Sequence, residues 1–328
     1  MSQPALADPP AYLVPLDGSR LAEAVLPAVE ALALRAHARV VLLHVLEEHP
    51  PATVHGERHL RGKEEAARYL EEVAARLRDQ GLTVEAHLHE AREADVAKCI
   101  AAHTAERRTA LVILSTHGTG GLRDLLFGSI AQQALQHGTL PLLLIRPLAD
   151  GAAPPFDIHH ILVLLEGVPD ASSEPALETA LALAPLFGAH LHLAMVIPTP
   201  ATLTDERALS GLLLPATMKA VLDLAAQGAT EYLRQARERC QAAGVPATAE
   251  VLRGDAVLEV LDLARRLEAN LLVAASHGTA GLRGFLEGSA AKRITDKVSA
   301  PILLVRAAAL SASPASSWGD TPDPGVTH

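Results

Sequence analysis

Residues 111–123 read LVILSTHGTGGLR, and residues 271–283 read LLVAASHGTAGLR. The two stretches lie 160 positions apart, and the match extends over residues 110–146 and 270–306 with 15 identities in 37 positions and no gap. A repeat whose period is a whole domain indicates a duplication rather than a solenoid of short units. The chain of 328 residues is therefore predicted to contain two copies of one domain.

Short aliphatic runs alternate with longer helical patterns in each copy. The runs fall at 11–16, 40–46, 83–88, 110–115 and 140–146 in the first copy and at 161–165, 190–196, 247–252, 271–275 and 302–306 in the second. In the first copy the helical patterns lie near 20–37, 61–80, 94–107 and 129–137. Runs of Val, Ile and Leu separated by helices are typical of an α/β fold with a parallel sheet covered on both faces. Pro27 predicts a kink or a late start in the first helical pattern.

Composition narrows the classes of function. The chain carries 28 basic and 38 acidic residues, and its aromatic content is only 2%. A protein that stacks bases in a basic groove is disfavoured by both numbers, so no nucleic-acid partner is expected. No apolar run approaches the roughly 18–20 residues that span a bilayer, and no membrane partner is expected either. Two isolated cysteines and a start without a secretory pattern predict a cytoplasmic protein.

The repeat also divides the chain into segments. Residues 147–157 are rich in Pro, Gly and Ala, and the last twenty residues are rich in Ser and Pro, which is typical of a linker and a tail. We predict a flexible N-terminus at 1–10, a first domain at 11–147, a linker at 148–157, a second domain at 158–307 and a disordered tail at 308–328.

A glycine-bearing loop follows the fourth run. Ser115 ends that run, Gly118 follows three residues later, and Gly128-Ser129 opens a helical pattern after nine more residues. Glycine lets backbone N–H groups approach phosphate oxygens, and a helix N-terminus favours an anion. The same residues can equally serve as a turn and a helix cap. The second copy keeps Gly278, Gly288 and Ser289 at the same spacing.

Asp17 ends the first run and is followed by Gly18-Ser19 and a helical pattern. The carboxyl ends of parallel strands carry the ligand sites of open α/β sheets, so this carboxylate could accept hydrogen bonds from a base or a ribose. The alternative is an ordinary helix cap, because Asp and Ser are both favoured at that position.

Both halves resemble domains of the universal stress protein family, in the subfamily whose ATP signature is Gly, two residues, Gly, nine residues and Gly-Ser/Thr. The resemblance rests on the loop from Thr116 to Arg123, on Gly128-Ser129, and on Pro141-Leu-Leu-Leu-Ile-Arg. It implies two doubly wound, Rossmann-like (HUP-type) five-stranded parallel sheets of strand order 3-2-1-4-5. It also implies that the fifth strands of the two domains pair, which makes the chain an internal pseudo-dimer with further homodimer formation left open.

The resemblance also implies roles for individual residues. Asp17 would contact the adenine end of ATP, and the backbone of Val45 would hold the base. Gly118 and Gly128 would approach the phosphates, to which Ser129 would donate a hydrogen bond.

The sequence departs from the family signature at several of these positions. Ser115 and Ala275 stand where the signature begins with Gly, and the second copy has Glu166 in place of the expected Asp. The longer Glu166 side chain would push its carboxylate into the base pocket, so the first domain is the favoured site. In the second copy the residues that still match are Val196, Gly278, Gly288 and Ser289.

The expected function is therefore a sensor or regulator of stress responses that binds ATP, with or without Mg²⁺. No residue set argues for catalysis beyond slow ATP hydrolysis, so no enzyme is predicted. One alternative is an interaction or scaffold protein whose sites no longer bind nucleotide. The other is an enzyme on the same broad fold, such as an adenylating or nucleotide-transfer protein. Such an enzyme would need a Ser-Gly-Gly phosphate loop near the first strand or a His-x-x-His pair, and the sequence has neither.

Sixteen histidines invite a metal hypothesis. His87 and His89 share one face of a strand, but no third ligand is fixed by spacing along the chain, and no metal site is predicted. His117 and His277 lie inside the glycine loops, where a structural or ligand-flanking role is favoured over catalysis because no Ser or Asp partner is spaced to support a base.

Overall fold

The computed structural model describes most of both predicted domains. The described residues are 9–46, 53–54, 57–58, 60, 62–90, 96–106, 109–116, 141–165, 174–203, 215–276 and 297–306. In the first half the strands are β1 (Ala11–Pro15), β2 (Arg39–Leu46), β3 (Thr53–Val54), β4 (Glu57–Arg58), β5 (Thr83–Glu90), β6 (Thr109–Ser115) and β7 (Leu142–Ile145). In the second half they are β8 (His160–Leu164), β9 (His190–Ile197), β10 (Ala247–Arg253), β11 (Leu271–Ser276) and β12 (Ile302–Arg306).

Ten of these strands form one sheet in the order β10-β9-β8-β11-β12-β7-β6-β1-β2-β5. Neighbouring strands are parallel within each half, and each half has the order 3-2-1-4-5 in terms of its own five strands. The doubly wound α/β prediction is thereby confirmed. The short β3–β4 hairpin stands apart from this sheet and was not predicted, because its polar segment lacks an apolar alternation.

The two halves meet at their fifth strands. β7 and β12 pair in antiparallel fashion, with Leu143 opposite Leu303. This is the pairing that the family resemblance implied. Because each half is internally parallel, the carboxyl ends of its strands lie at one edge of the sheet, and the antiparallel junction places those edges on opposite sides.

Helices cover both faces of the sheet. They are α1 (Arg20–Glu23), α2 (Leu26–Ala36), α3 (Lys63–Asp79), α4 (Val96–Glu106), α5 (Glu174–Phe187), α6 (Pro215–Ala242) and α7 (Ala256–Arg266). One apolar core joins α2, α3, α5 and α6 to the sheet, and a second core on the other face joins α4 and α7. Alternate residues of a strand enter opposite cores; Leu42 lies in the first and Leu43 in the second.

Two local features follow directly from the sequence. The first helical pattern is broken between α1 and α2, and Pro27 stands in the first turn of α2, where its missing N–H costs nothing. In the second half α6 has 28 residues against 17 in its counterpart α3, which lengthens this part of the second domain.

Among the described residues, no helix combines the length and apolar composition needed to cross a bilayer.

Candidate functional site

Three predicted site residues lie at the carboxyl ends of adjacent strands. β1 is the central strand of this group, with β2 on one side and β6 on the other. Asp17 follows β1, Val45 lies near the end of β2, and Ser115 ends β6. The chain runs outward from β1 through β2 to β5 and then returns to β6, so this edge is the topological switch point where open α/β sheets hold ligands.

Asp17 is held in a tight turn. Its Oδ1 accepts a hydrogen bond from the backbone N–H of Ser19 at 2.8 Å. The helix cap itself is Ser19, whose fully buried side chain accepts from the N–H of Ala22 at 3.1 Å. The cap of this segment is therefore Ser19 rather than Asp17, and the Asp17 carboxylate orders the turn that precedes the helix.

Gly18 lets this turn form. Its φ of +88° lies in the left-handed region, and a Cβ built on it would come within 2.7 Å of the Leu60 side chain. Glycine is favoured here for two separate reasons, the backbone conformation and the close approach of Leu60. Leu60 thus closes over the turn that carries Asp17.

Tyr69 of α3 extends the site beyond Leu60. Burial raises the pKa of its phenol, and the negative charges of Glu23 and Asp17 raise the pKa further. The phenol therefore stays neutral and protonated at physiological pH. An open groove of about 480 Å³ lies against Leu60 and Tyr69, with Glu65, Arg68 and Glu72 as the rest of its lining. Sequence reasoning missed Tyr69, since only the packing of α3 brings it near Asp17.

His44 ties β2 to the end of β1. It is buried, and its Nδ1 lies 2.7 Å from the carbonyl oxygen of Leu16. A carbonyl can only accept, so Nδ1 carries the proton and donates it to Leu16. This bond fixes the backbone immediately before Asp17. The sequence offers one signal for it, a lone histidine inside the apolar run of β2.

The backbone of Val45 extends past the end of β1. The β1–β2 ladder ends where Pro15 pairs with Leu43, and the N–H of Leu16 donates to the carbonyl of Leu43 at 2.8 Å. Val45 lies two residues beyond Leu43 and pairs on its other side with His89 of β5. Its position fits the predicted backbone contact to a base.

Ser115 places a hydroxyl at the switch point. It pairs with Ile145 of β7, while the N–H of the next residue, Thr116, donates to the Ile145 carbonyl at 2.7 Å. The Oγ of Ser115 is buried and has no hydrogen-bond partner within the described part of the chain. Because a buried hydroxyl without a partner is costly, this atom fits a site that is completed by a polar ligand.

The second domain repeats the strand ends with different chemistry. The N–H of Leu165 donates to the carbonyl of Ala194 at 2.9 Å, as that of Leu16 does to Leu43. Val196 accordingly occupies the place of Val45 on β9. Ala275 is buried on β11 and brings no hydroxyl to the position that corresponds to Ser115.

The phosphate-loop predictions lie outside the described residues and stay predictions. This holds for Gly118, Gly128 and Ser129, for Gly278, Gly288 and Ser289, and for the carboxylate of Glu166. The structure brings together Asp17, Val45 and Ser115 of the first domain, and Val196 with Ala275 at the matching edge of the second.

Comparisons with known proteins agree with this architecture. The model of the universal stress protein family matches residues 12–146 and 157–306. The universal stress protein MJ0531 of Methanocaldococcus jannaschii is 25% identical over 142 residues, which cover 42% of this chain and 79% of that protein. The universal stress protein YxiE of Bacillus subtilis is 27% identical over 149 residues, which cover 41% of this chain and 97% of that protein.

A solved structure is similar over nearly the full length. The crystal structure of a universal stress protein from Archaeoglobus fulgidus superposes with a TM-score of 0.65 at 16% identity, and the match covers 90% of this chain and 96% of that one. At this identity the likeness shows the fold alone.

Proposed function

Because the chain belongs to the universal stress protein family, we propose that its first domain binds ATP and that the protein acts as a nucleotide-dependent regulator. The observation that carries the proposal is the convergence of Asp17, Val45 and Ser115 at the carboxyl ends of three adjacent parallel strands. A buried hydroxyl on Ser115 without a partner among the described residues supports it, because a ligand oxygen would satisfy that group.

Each residue has a part in this proposal. The turn at Gly18 orients the Asp17 carboxylate toward the ribose and adenine, and the bond from His44 to Leu16 holds the strand end rigid. Val45 offers backbone groups to the base. Ser115 stands at the start of the loop that carries Gly118, which together with Gly128 and Ser129 would hold the phosphates.

The negative net charge of the protein means that the site itself must attract the phosphates. The chain carries a net charge of −10, so the protein as a whole does not attract a polyanion. Local N–H groups and hydroxyls must therefore hold the phosphates, as they do at helix N-termini. The proposal includes no catalytic residue and no turnover beyond slow hydrolysis, and it places the protein in the cytoplasm.

The first experiment identifies the small molecule that leaves the purified full-length protein on denaturation, by mass spectrometry. Calorimetric titration with ATP follows on protein from which nucleotide has been removed. Asp17→Ala is expected to weaken binding about tenfold or more, since a charge-assisted hydrogen bond contributes roughly 1.5–3 kcal/mol.

Asp150→Ala is the matched control. Asp150 lies in the linker and makes the same kind of turn, accepting from the N–H of Ala152 at 3.0 Å, but it is exposed. A folded protein with no bound nucleotide and no heat of binding would contradict the proposal and favour an interaction protein. Equal loss of affinity in both variants would remove Asp17 from the site.

A further inference from the structure

Three histidines of the first domain meet on one face of the sheet. His87 and His89 stand two residues apart on β5, and His103 lies on α4. The ring centroid of His103 is 4.7 Å from that of each of the other two, and the ring planes are inclined by 75° and 77°. One ligand nitrogen from each of the three rings lies within 4.8 Å of the others. α4 thus supplies the third ligand that spacing along the chain does not fix.

The cluster faces an apolar core rather than open solvent. His87 pairs in register with Leu43 and His89 with Val45, both of which belong to the core on the α4 face of the sheet. His103 is 6% exposed, and Ile100 of the same helix is buried in that core. β5 is the edge strand of the ten-stranded sheet, so the cluster lies at the edge of the sheet rather than at its centre.

The second domain shows what the fold alone requires at these positions. α7 corresponds to α4 at an offset of 160 residues, which places Leu263 where the first domain has His103. Leu252 pairs with Val196 as His89 pairs with Val45. Both leucines are buried in the same core. The architecture is therefore satisfied by apolar side chains at two of the three positions, and the histidines are an addition specific to the first domain.

We propose that His87, His89 and His103 bind one zinc ion through their imidazole nitrogens, with water in the fourth position. Leucine suffices for packing at two of these three positions, so the fold does not require the imidazoles there, and metal binding gives them a role. Zinc is bound by histidine nitrogens at about 2.0–2.1 Å in tetrahedral geometry, and three protein ligands with one open position are a known arrangement.

The observed separations suit this coordination after a small adjustment. Tetrahedral bonds of that length place ligand nitrogens roughly 3.4 Å apart. The three nitrogens here lie within 4.8 Å of one another, so they must move somewhat closer together to bind the ion. His87 and His89 are only half-buried, so their rings can turn toward a metal while His103 stays fixed by α4. Among the described residues, these three histidines are the group whose ligand atoms come together, while the neighbouring Glu90 carboxylate is engaged by Lys63 at 2.5 Å.

The test titrates zinc into the full-length protein after treatment with a chelator, in competition with a chromophoric chelator. One tight equivalent per chain is expected. His89→Leu with His103→Leu copies the second domain, so this variant is expected to fold and to lose the tight equivalent. The loss should exceed the roughly 100-fold that removal of an outer-shell contact costs. Zinc should also raise the Tm of the unaltered protein but not that of the variant.

A second histidine trio provides the matched control. In the second domain His160, His190 and His192 also lie together, with tilted rings whose centroids are 4.6–6.5 Å apart. There His192 uses both nitrogens, one toward Thr248 at 2.8 Å and one toward His160 at 3.1 Å. His190→Asn with His192→Asn should keep the tight zinc equivalent.

Three outcomes would overturn the proposal. The first is the absence of a tight equivalent in the unaltered protein, and the second is its persistence in the folded double-leucine variant. The third is a sulfur-to-cobalt charge-transfer band after cobalt substitution. Such a band would show that the fourth ligand is the thiolate of Cys99, one turn before His103 on α4, rather than water. Asp17→Ala should leave zinc binding unchanged. The proposed zinc site is therefore tested independently of the proposed nucleotide site.

Discussion

Leu303 of β12 lies directly opposite Leu143 of β7 at the centre of the ten-stranded sheet. Both side chains are buried, and the flanking pairs of this antiparallel ladder are also aliphatic. The junction therefore combines backbone hydrogen bonds with burial of apolar side chains, so it joins the two domains through their cores rather than through a surface contact.

We expect Leu143→Ala to lower the free energy of unfolding by about 2–5 kcal/mol, because it removes a buried side chain and leaves a cavity. Urea denaturation followed by circular dichroism measures the change. Leu148→Ala is the control, since Leu148 is 48% exposed and should cost little. Similar small losses in both variants would show that the junction does not hold the halves together.

Gly18→Ala should destabilise the protein by about 2–4 kcal/mol, through the left-handed backbone conformation and the contact with Leu60. Leu60→Ala removes only the second cause. In that background the cost of Gly18→Ala should fall to about 1–2 kcal/mol, and a thermodynamic cycle from urea denaturation measures the difference. An equal cost in both backgrounds would mean that Leu60 does not restrict this position.

Ser115→Ala separates stability from ligand binding. The buried Oγ has no partner among the described residues, so its removal should leave the Tm unchanged or slightly raised. Affinity for ATP, measured by calorimetry, should fall about tenfold if this hydroxyl meets the ligand. Ser299→Ala, at an exposed position, should change neither quantity. A lower Tm with unchanged affinity would assign the hydroxyl a structural role.

We expect the histidine trio of the second domain, His160, His190 and His192, to lower the free energy of unfolding in acid. Burial, with the neighbouring His190 and His160, lowers the pKa of His192 from 6.5 to about 4. The unfolded chain therefore binds a proton below pH 6.5 that the folded protein takes up only near pH 4. Stability contributed by neutral His192 is full above pH 6.5 and is lost as the pH falls toward 4.

The matching measurement is the Tm between pH 7 and pH 4. His192→Asn should reduce the fall in Tm over this range by a few degrees, equivalent to on the order of 1 kcal/mol after allowance for solvent exposure. His37→Asn is the control, because His37 is exposed and asparagine tolerates its left-handed φ of 50°. Parallel curves for all three proteins would contradict the assignment to His192.

The strands and most helices could be predicted because their pattern is local. Aliphatic runs predicted all ten strands of the main sheet to within two residues at either end, and Pro27 predicted the break between α1 and α2. The antiparallel junction between Leu143 and Leu303 is different. Nothing in the two runs distinguishes parallel from antiparallel pairing, so that expectation came from the family resemblance alone.

The candidate sites show the same division. Asp17 and Ser115 could be selected because strand ends are visible in the sequence. Tyr69 and His103 could not, since each reaches its site only through the packing of a helix on the sheet. The hairpin of β3 and β4 escaped prediction because neither strand has more than two residues.

The antiparallel β7–β12 ladder has a geometric consequence for ligands. It turns the carboxyl edge of the first half and that of the second half toward opposite sides of the molecule. A single small ligand cannot bridge the two edges, and the chain gains no chelate effect from its duplication. The duplication instead gives one polypeptide two separate carboxyl edges, so a molecule bound at one edge leaves the other edge open to a different molecule.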